Sequence, residues 1–380
     1  MLKNKFLIVS NDSKSIVNFR LDLLLEIKSL GYEVNIISPG INNSSYSSML
    51  SDHGFNLYDL SLSRVGMNPL NEFRTLYELY FTIKRIKPDY VLSYTIKPCI
   101  YGSIVSKILG VKSINMLITG LGYVFTEQSK TKKTNRAILG LYKIACSCAN
   151  NIIFQNNDDA SLFKEMGLIS DFKKISLVNG SGVNCNLFPV MPLKKKINCI
   201  PNFLMVSRLL KDKGIYEYIE AIRMVKKESP EVVFGLLGSL DDNPLSVSLN
   251  ELNKWIDEDL IVYHGYTNNV KDIIKEYNVI VLPSYREGVP RAILEGMAMG
   301  RAIVTTNAPG CRETVIDGVN GFLVEPKSNH SLYLAFAKLI KEPYLIENMS
   351  KESLSLIRAK FEVGLVNRQM ITIMALTDVA

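Results

Sequence analysis

Two successive series of short, nearly continuous apolar runs, separated by longer stretches of helical spacing, constrain this chain more than any other feature. In the first half the runs are FLIVS from Phe6, VNIIS from Val34, DYVLSYT from Asp89, SINMLI from Ser113, NIIFQN from Asn151 and ISLVNG from Ile175. Runs of this length with so few polar breaks fit parallel strands buried on both faces, whereas a half-solvated strand would alternate. Ser15–Leu30, Leu70–Ile86 and Thr134–Ala149 carry helical spacing between them. Strand–helix alternation predicts a doubly wound parallel sheet. After residues 186–202, NLFPVMPLKKKINCIPN, a second series follows: FLMVS from Phe203, VVFGLLG from Val232, IVYHGY from Ile261, VIVLPS from Val279, AIVTT from Ala302 and GFLVE from Gly321. The prolines and lysines of 186–202 read as an interdomain linker. The expected fold class is therefore α/β, with two doubly wound Rossmann-like domains, 1–185 and 203–350, facing across a cleft. Ligands in such sheets bind beyond the carboxyl ends of the strands.

Composition narrows the function classes. At 47% hydrophobic and 21% charged, the chain is an ordinary globular protein, neither disordered nor fibrous. The N-terminal MLKNKFLIVSND has too short an apolar run for a signal core, and no stretch approaches the ~18 apolar residues of a membrane span. A cytoplasmic location is expected. Cys99, Cys146, Cys148, Cys185, Cys199 and Cys311 show no CxxC pairing and only three histidines accompany them, so neither disulfides nor zinc are expected. Residues 1–190 hold 21 basic against 14 acidic residues, while 191–380 hold 23 against 23. All the excess of +7 lies in the first half, which suits an anionic partner there: a phosphorylated acceptor or an anionic membrane surface. The basic residues are scattered and not interleaved with aromatics, so no nucleic acid is expected.

Two strand ends of the second half carry the chemistry. FLMVS runs into Arg208 and then LLKDKG, placing Lys213 and Gly214 where a helix begins. This reads equally as a solvated basic loop or as an anion site suited to a diphosphate. VIVLPS leads into YREGVPRAILEGMAMG, residues 285–300. Glu287 precedes a Gly288-Val289-Pro290 turn, Pro290 suits the first helical turn, and Glu295 falls inside the helix. Amides near Gly288 and Val289 can donate to a hydroxyl or phosphate.

That segment resembles the Glu-x7-Glu signature of the family 4 retaining glycosyltransferases, which have the GT-B architecture, with Glu287 and Glu295 at its ends. Arg208 and Lys213 match the family's donor-phosphate pair, NAPGCRETV at 307–315 its glycine loop, and GVNGFLVEP at 318–326 its next strand. The resemblance implies that Glu287 touches the donor sugar, Glu295 the ribose and backbone near Tyr266 the base. It implies a donor-binding C-terminal domain, an acceptor-binding N-terminal domain, and a C-terminal stretch, 351–380, that returns to the first domain. SNDSKSIVNFR at 10–20, YTIKPCIYGS at 94–103, ITGLGYVF at 118–125 and NGSGVN at 179–184 are similar to a narrower subgroup that elongates polyprenyl-diphosphate-linked glycans. That subgroup implies a UDP-sugar donor, an N-acetylhexosamine such as N-acetylgalactosamine as the moving sugar, and an undecaprenyl-diphosphate-linked acceptor. Where many members carry a glycine-rich first loop and a histidine near the donor sugar, this chain has SNDSKS and SYTIKP, with Lys97 and no histidine.

Ser13, Lys97, Gly120 and Gly122 are the acceptor or cleft candidates of the first half. Each also has a plainer role: helix cap for Ser13 or Ser15, surface lysine, tight turn. Lys130, Lys132, Lys133 and Arg136 before AILGLYKIACSCA read either as a solvated loop or as a contact with anionic lipid. Glycosyl transfer with retention is the expected reaction, with Arg208, Lys213 and helix-end amides stabilising the departing diphosphate. No cofactor or metal is expected: no Asp-x-Asp occurs, and Asp158-Asp159 and Asp241-Asp242 read as caps or turns. The alternatives are a sugar-nucleotide epimerase of the same architecture, for which His53, His264 and His330 are not grouped, or transfer of another hexose to a different lipid or glycan.

Overall fold

The structure, a computed structural model, describes residues 4–62, 69–121, 133–170, 174–193, 200–241, 243 and 245–377. It divides into two compact units, Met1–Ser181 with Gly364–Ala380, and Gly182–Val363.

The first unit is a seven-stranded, fully parallel sheet made of β1 (Lys5–Val9), β2 (Glu33–Ile37), β3 (Asn56–Tyr58), β4 (Tyr90–Tyr94), β5 (Ser113–Ile118), β6 (Asn151–Phe154) and β7 (Ile175–Leu177). Their order is β3-β2-β1-β4-β5-β6-β7, with Phe6 opposite both Val34 and Tyr90. Helices α1 (Ser13–Phe19), α2 (Leu21–Ser29), α3 (Ser47–Asp52), α4 (Pro69–Ile86), α5 (Ile96–Ile108), α6 (Lys133–Cys148) and α7 (Asn157–Glu165) cover it. Alternate residues of one strand feed separate cores. Leu7 and Val9 pack with Val91, Leu79, Ile83 and Phe154, while Phe6 and Ile8 pack with Leu24, Ile27 and Ile36. A strand buried on both faces in this way leaves no polar alternation to read.

The second unit has a six-stranded parallel sheet, β8 (Asn202–Val206), β9 (Val233–Leu237), β10 (Val262–Tyr263), β11 (Val279–Leu282), β12 (Ala302–Thr306) and β13 (Gly321–Val324), in the order β10-β9-β8-β11-β12-β13. Around it lie α8 (Ile215–Glu228), α9 (Leu249–Asp257), α10 (Val270–Ile274), α11 (Arg291–Ala298), α12 (Asn329–Lys341) and α13 (Tyr344–Leu356). Phe203, Phe234, Tyr218 and Phe336 form an aromatic cluster on one face, with the Phe203 and Phe234 rings stacked at 5.1 Å. On the other face Gly296 lets α11 settle on β11, because a Cβ there would lie 2.4 Å from Ile280 Cγ1.

The boundaries differ from those expected. The chain passes to the second unit at residue 182, and the described residues of 186–202 are packed on that unit rather than bridging. Phe188 and Met191 lie against its core, Met191 N donates to Met299 O, and the buried Arg301 guanidinium donates to Pro192 O. Residues 351–363 also stay with the second unit, through Ile357 and Phe361 in a π-helical turn, Ile357–Phe361. From Gly364 on, α14 (Val363–Ile373) and the described residues after it join the first unit, where Met370, Met374 and Leu376 complete the core around Phe6 and Ile8 and Tyr32 OH donates to Thr377 O.

Candidate active site

In each sheet the strand order reverses once, between β1 and β4 and between β8 and β11. At such a point the loops leaving neighbouring strands turn to opposite faces and open a crevice at their carboxyl ends. Arg208 and Lys213 follow β8 and Glu287 follows β11, so the second unit's switch point gathers the cations and the carboxylate that the sequence singles out.

Lys213 ends a 3₁₀ turn, Lys211–Lys213, and Lys213 Nζ lies 2.6 Å from Glu287 Oε1, with only 14% and 18% of the two side chains exposed. Burial opposes the lysine's charge, but the Glu287 carboxylate and the charge of Asp212 outweigh it, and the Lys213 pKa stands above the ordinary lysine value. The ammonium is therefore charged at any pH the protein meets, and an ammonium holds three donors, of which Glu287 uses one.

Glycines make this contact possible by letting backbones approach. Gly214 has φ +74°, and a Cβ on it would lie 2.1 Å from Pro283 O, so a glycine is needed for the loop after β8 to rest on the end of β11. Tyr285 N and Ser284 Oγ both donate to Asp212 O, stitching the same two loops together. On the far side of the Glu287 turn, Glu287 N donates to Pro309 O at 2.9 Å. Gly310 there has φ +78°, and a Cβ would meet both Glu287 O and Gly288 O at 2.2 Å. The Glu287–Gly288 turn is thus clamped by the loop after β12.

The remaining candidates of this unit hold other partners. Arg208 Nη1 pairs with Asp241 Oδ2 at 3.0 Å and its side chain is half-exposed. Asp241 also accepts from Asn243 N, so it both shapes its turn and holds Arg208; Asp242 lies outside the described residues. Pro290 occupies the N-cap position of α11, one residue before the first turn where it was expected. Gly288 is buried and Val289 half-buried. Glu295 accepts from Arg291 Nε at 3.1 Å, and Arg291 also donates to Gly182 O. Burial raises the Glu295 pKa above the usual carboxylate range, with Arg291 opposing it. Tyr266, after β10, is exposed and donates to Asn268 Oδ1. Ser207 Oγ, buried at the end of β8, finds no hydrogen-bond partner among the described residues. Among the described residues no group of three or more His, Cys, Asp and Glu side chains is gathered as a metal would need.

At the first unit's switch point, Asp12 caps α1, accepting from Ser15 N at 2.8 Å, in place of the Ser13 or Ser15 cap expected; Ser13 is simply the first helical residue. An ionised carboxylate is the stronger acceptor for those helix-end amides. Ser15 Oγ instead shares a hydrogen bond with Tyr94 OH at 2.7 Å, and burial pushes Tyr94 up to about 12. Lys97, in the first turn of α5, pairs with Glu72 of α4 at 2.5 Å, both side chains largely buried, and Tyr101 OH donates to the second Glu72 oxygen. Asp158 and Asp159 lie in the first turn of α7, which Asn156 caps. Gly120, with φ +136°, follows β5; Gly122, Lys130 and Lys132 lie outside the described residues, as does the Lys133 side chain, and Arg136 is exposed on α6. Sequence reading missed Glu72 altogether, took Asp241 for a cap or turn without its hold on Arg208, and took Gly310 for part of a glycine loop without its clamp on the Glu287 turn. Gly310 carried a further local signal, a Pro-Gly step in a loop after a strand.

Comparison with known proteins gives concordant matches in both halves. The family described as glycosyl transferases group 1 matches residues 200–342, and the family described as glycosyl transferase 4-like matches residues 6–156. The chain is 28% identical over 356 residues, 91% of its length and 92% of the relative's, to N,N'-diacetylbacillosaminyl-diphospho-undecaprenol alpha-1,3-N-acetylgalactosaminyltransferase of Campylobacter jejuni. It is 29% identical, over 73% of its length and 72% of the relative's, to UDP-Gal:alpha-D-GlcNAc-diphosphoundecaprenol alpha-1,3-galactosyltransferase of Escherichia coli. Its fold matches Anabaena HepE, solved in complex with UDP, with a TM-score of 0.75 and 18% identity over 98% of this chain and 99% of that one.

Proposed function

Because the chain belongs to the group 1, GT4-like glycosyltransferases of GT-B fold, we propose that it transfers an N-acetylhexosamine, N-acetylgalactosamine first among them, from a UDP-sugar to a polyprenyl-diphosphate-linked glycan with retention of configuration. The second unit binds the donor and the first the acceptor. The observation that carries the reading is the Lys213–Glu287 pair, 2.6 Å apart at the switch point of the second sheet. Its support on the side of substrates is a relative matched over nine-tenths of both chains that acts on an undecaprenyl-diphosphate glycan.

Cleavage of the sugar–phosphate bond builds positive charge on the sugar and negative charge on the leaving diphosphate. Lys213 offers its remaining donors to the phosphates, and Arg208 joins it by exchanging Asp241, a partly exposed partner, for phosphate. Glu287 holds a hydroxyl of the sugar, the amides of Gly288 and Val289 serve the same end, Glu295 takes the ribose and the backbone near Tyr266 the base. Fixed charges aimed at the leaving group replace a divalent metal. The lipid-borne acceptor implies peripheral association with the cytoplasmic face of an anionic membrane through the first half, where all the net positive charge lies; no helix among the described residues is long and apolar enough to cross one.

The test is a screen of UDP-sugars against polyprenyl-diphosphate sugars, with the anomeric configuration of the product read by NMR. Transfer from UDP-N-acetylgalactosamine to give an α-linked product is expected. Conversion of the donor without any acceptor would identify an epimerase instead, and no transfer from any UDP-sugar would refute the reading.

A further inference from the structure

The outer face of α4 (Pro69–Ile86) exposes four large apolar side chains: Leu70 at 79%, Phe73 at 70%, Tyr77 at 58% and Phe81 at 48%. At 100° per residue these four, with Arg74, Lys84 and Arg85, fall within an arc of about 120°. Phe73 marks one edge of that arc and Arg85 the other, with Leu70, Tyr77 and Phe81 along the middle and Lys84 and Arg74 beside them. Leu79, Ile83 and Ile86 on the opposite face are buried in the core of the first unit, so the helix is already anchored and its aromatic stripe is surplus to the fold.

The charges on this helix are sorted by sign. Its two acidic residues are engaged sideways or inward. Glu72 is 13% exposed and bound to Lys97 and Tyr101, and Glu78 accepts from Ser61 and Arg74. Arg74, Lys84 and Arg85, with Lys87 just beyond the helix, are all exposed. Lys84 and Arg85 also lie over the rings of Tyr80 and Tyr58 at 5.8 and 5.2 Å. A solvent-facing apolar stripe with cations beside it and no exposed acid on the helix is the pattern of a helix that lies in a membrane interface, aromatic rings at the acyl boundary and cations among anionic headgroups. A protein partner of mixed charge gives no reason for this one-sided sorting.

We propose that the outer face of α4 is the surface by which this protein docks on anionic phospholipid. The proposal deepens the reading of a lipid-linked acceptor and rests on it for its biological sense, but its test does not depend on the acceptor. The full chain is sedimented with vesicles of phosphatidylcholine alone and with vesicles that also contain phosphatidylglycerol. Four proteins are compared: the unchanged chain, Phe73→Ser/Tyr77→Ser/Phe81→Ser, Lys84→Glu/Arg85→Glu, and the control Leu177→Ser on β7. A Tyr77→Trp variant adds a spectroscopic readout, since the chain's one native tryptophan, Trp255, is buried on α9.

Binding to the anionic vesicles is expected for the unchanged chain and the control. The aromatic variant should weaken it at least tenfold. The charge variant removes two cations, at about fivefold each, and adds two carboxylates that the anionic surface repels, so it should weaken binding by at least ~25-fold and lose the preference for phosphatidylglycerol. Emission of the introduced tryptophan should shift to the blue on those vesicles. Transfer to a short-chain acceptor free in solution should be unchanged in every variant, so failure of the transfer reaction and failure of docking appear in different assays. Vesicle binding by the aromatic variant within twofold of the unchanged chain, no binding by the unchanged chain, or conversion of a dimer to a monomer by the aromatic variant with vesicle binding intact would each overturn the proposal.

Discussion

Gly310→Ala tests the clamp that sets the Glu287 turn, and its effect can be worked from distances. The native φ of +78° costs an alanine about 1–2 kcal/mol from Cβ crowding alone. The added carbon would stand 2.2 Å from the carbonyl oxygens of both Glu287 and Gly288. The short end of carbon–oxygen contact is about 3.3 Å, so one of the two loops must yield by roughly 1 Å. The loop after β12 is tied to β13 by Asn307 N donating to Val324 O and runs on into the 3₁₀ turn Arg312–Thr314, so the Glu287 turn is the part that moves. A 1 Å displacement of Glu287 would stretch its 2.6 Å contact with Lys213 beyond hydrogen-bonding range. A misplacement of that size at a reacting centre costs on the order of a hundredfold in rate. The expected outcome is kcat down by about two orders of magnitude, with unfolding stability reduced by only ~2–4 kcal/mol. UDP release at saturating donor and acceptor, alongside thermal melting, measures both. A variant with activity within threefold of the unchanged protein and an unaltered melting curve would refute the clamp.

Three further outcomes are expected. Lys213→Ala should lose about a hundredfold in turnover, or on the order of 3 kcal/mol, while excess chelator leaves the unchanged protein active; activity abolished by chelator and restored by magnesium, with Lys213→Ala near normal, would assign the leaving group to a metal. In steady-state kinetics Glu287→Ala should lower kcat and Glu295→Ala chiefly raise KM for the donor, since a contact to the reacting sugar strengthens as charge develops and a ribose contact does not; the reverse pattern would exchange the two roles. Burial of Asp89 resists its ionisation, but Lys112 at 2.7 Å and the Lys5 amide at 2.9 Å outweigh that, and its pKa lies below the ordinary carboxylate range. The resulting stability is present above the unfolded value of ~3.9 and lost as pH falls through the lower folded value, so Asp89→Asn should melt below the unchanged chain at pH 7 and close the gap in acid, as circular dichroism will show.

The sequence alone determined the architecture, because strands buried on both faces of a parallel sheet must be almost wholly apolar and that pattern is visible one strand at a time. FLIVS, FLMVS and VIVLPS became β1, β8 and β11 at the positions read for them, and Arg208, Lys213 and Glu287 fell at strand ends by simple counting. Local chemistry could not show which charges meet. Lys213 and Glu287 are 74 residues apart and Arg208 and Asp241 are 33 apart; each pair exists because parallel strands β8, β9 and β11 lie side by side and deliver their loops to one edge. The same holds for Lys97, whose partner Glu72 lies on another helix, and for Gly310, whose glycine requirement comes from the approach of a distant backbone. The unit boundaries depended on packing too, since prolines and lysines at 186–202 suggest a tether while Phe188, Met191 and the buried Arg301 bind that segment to the second core. Nor could helical periodicity alone tell that Phe73, Tyr77 and Phe81 point to solvent: the apolar residues of α4 span about 220° of its circumference, and only the sheet beneath it decided which of them were left outside.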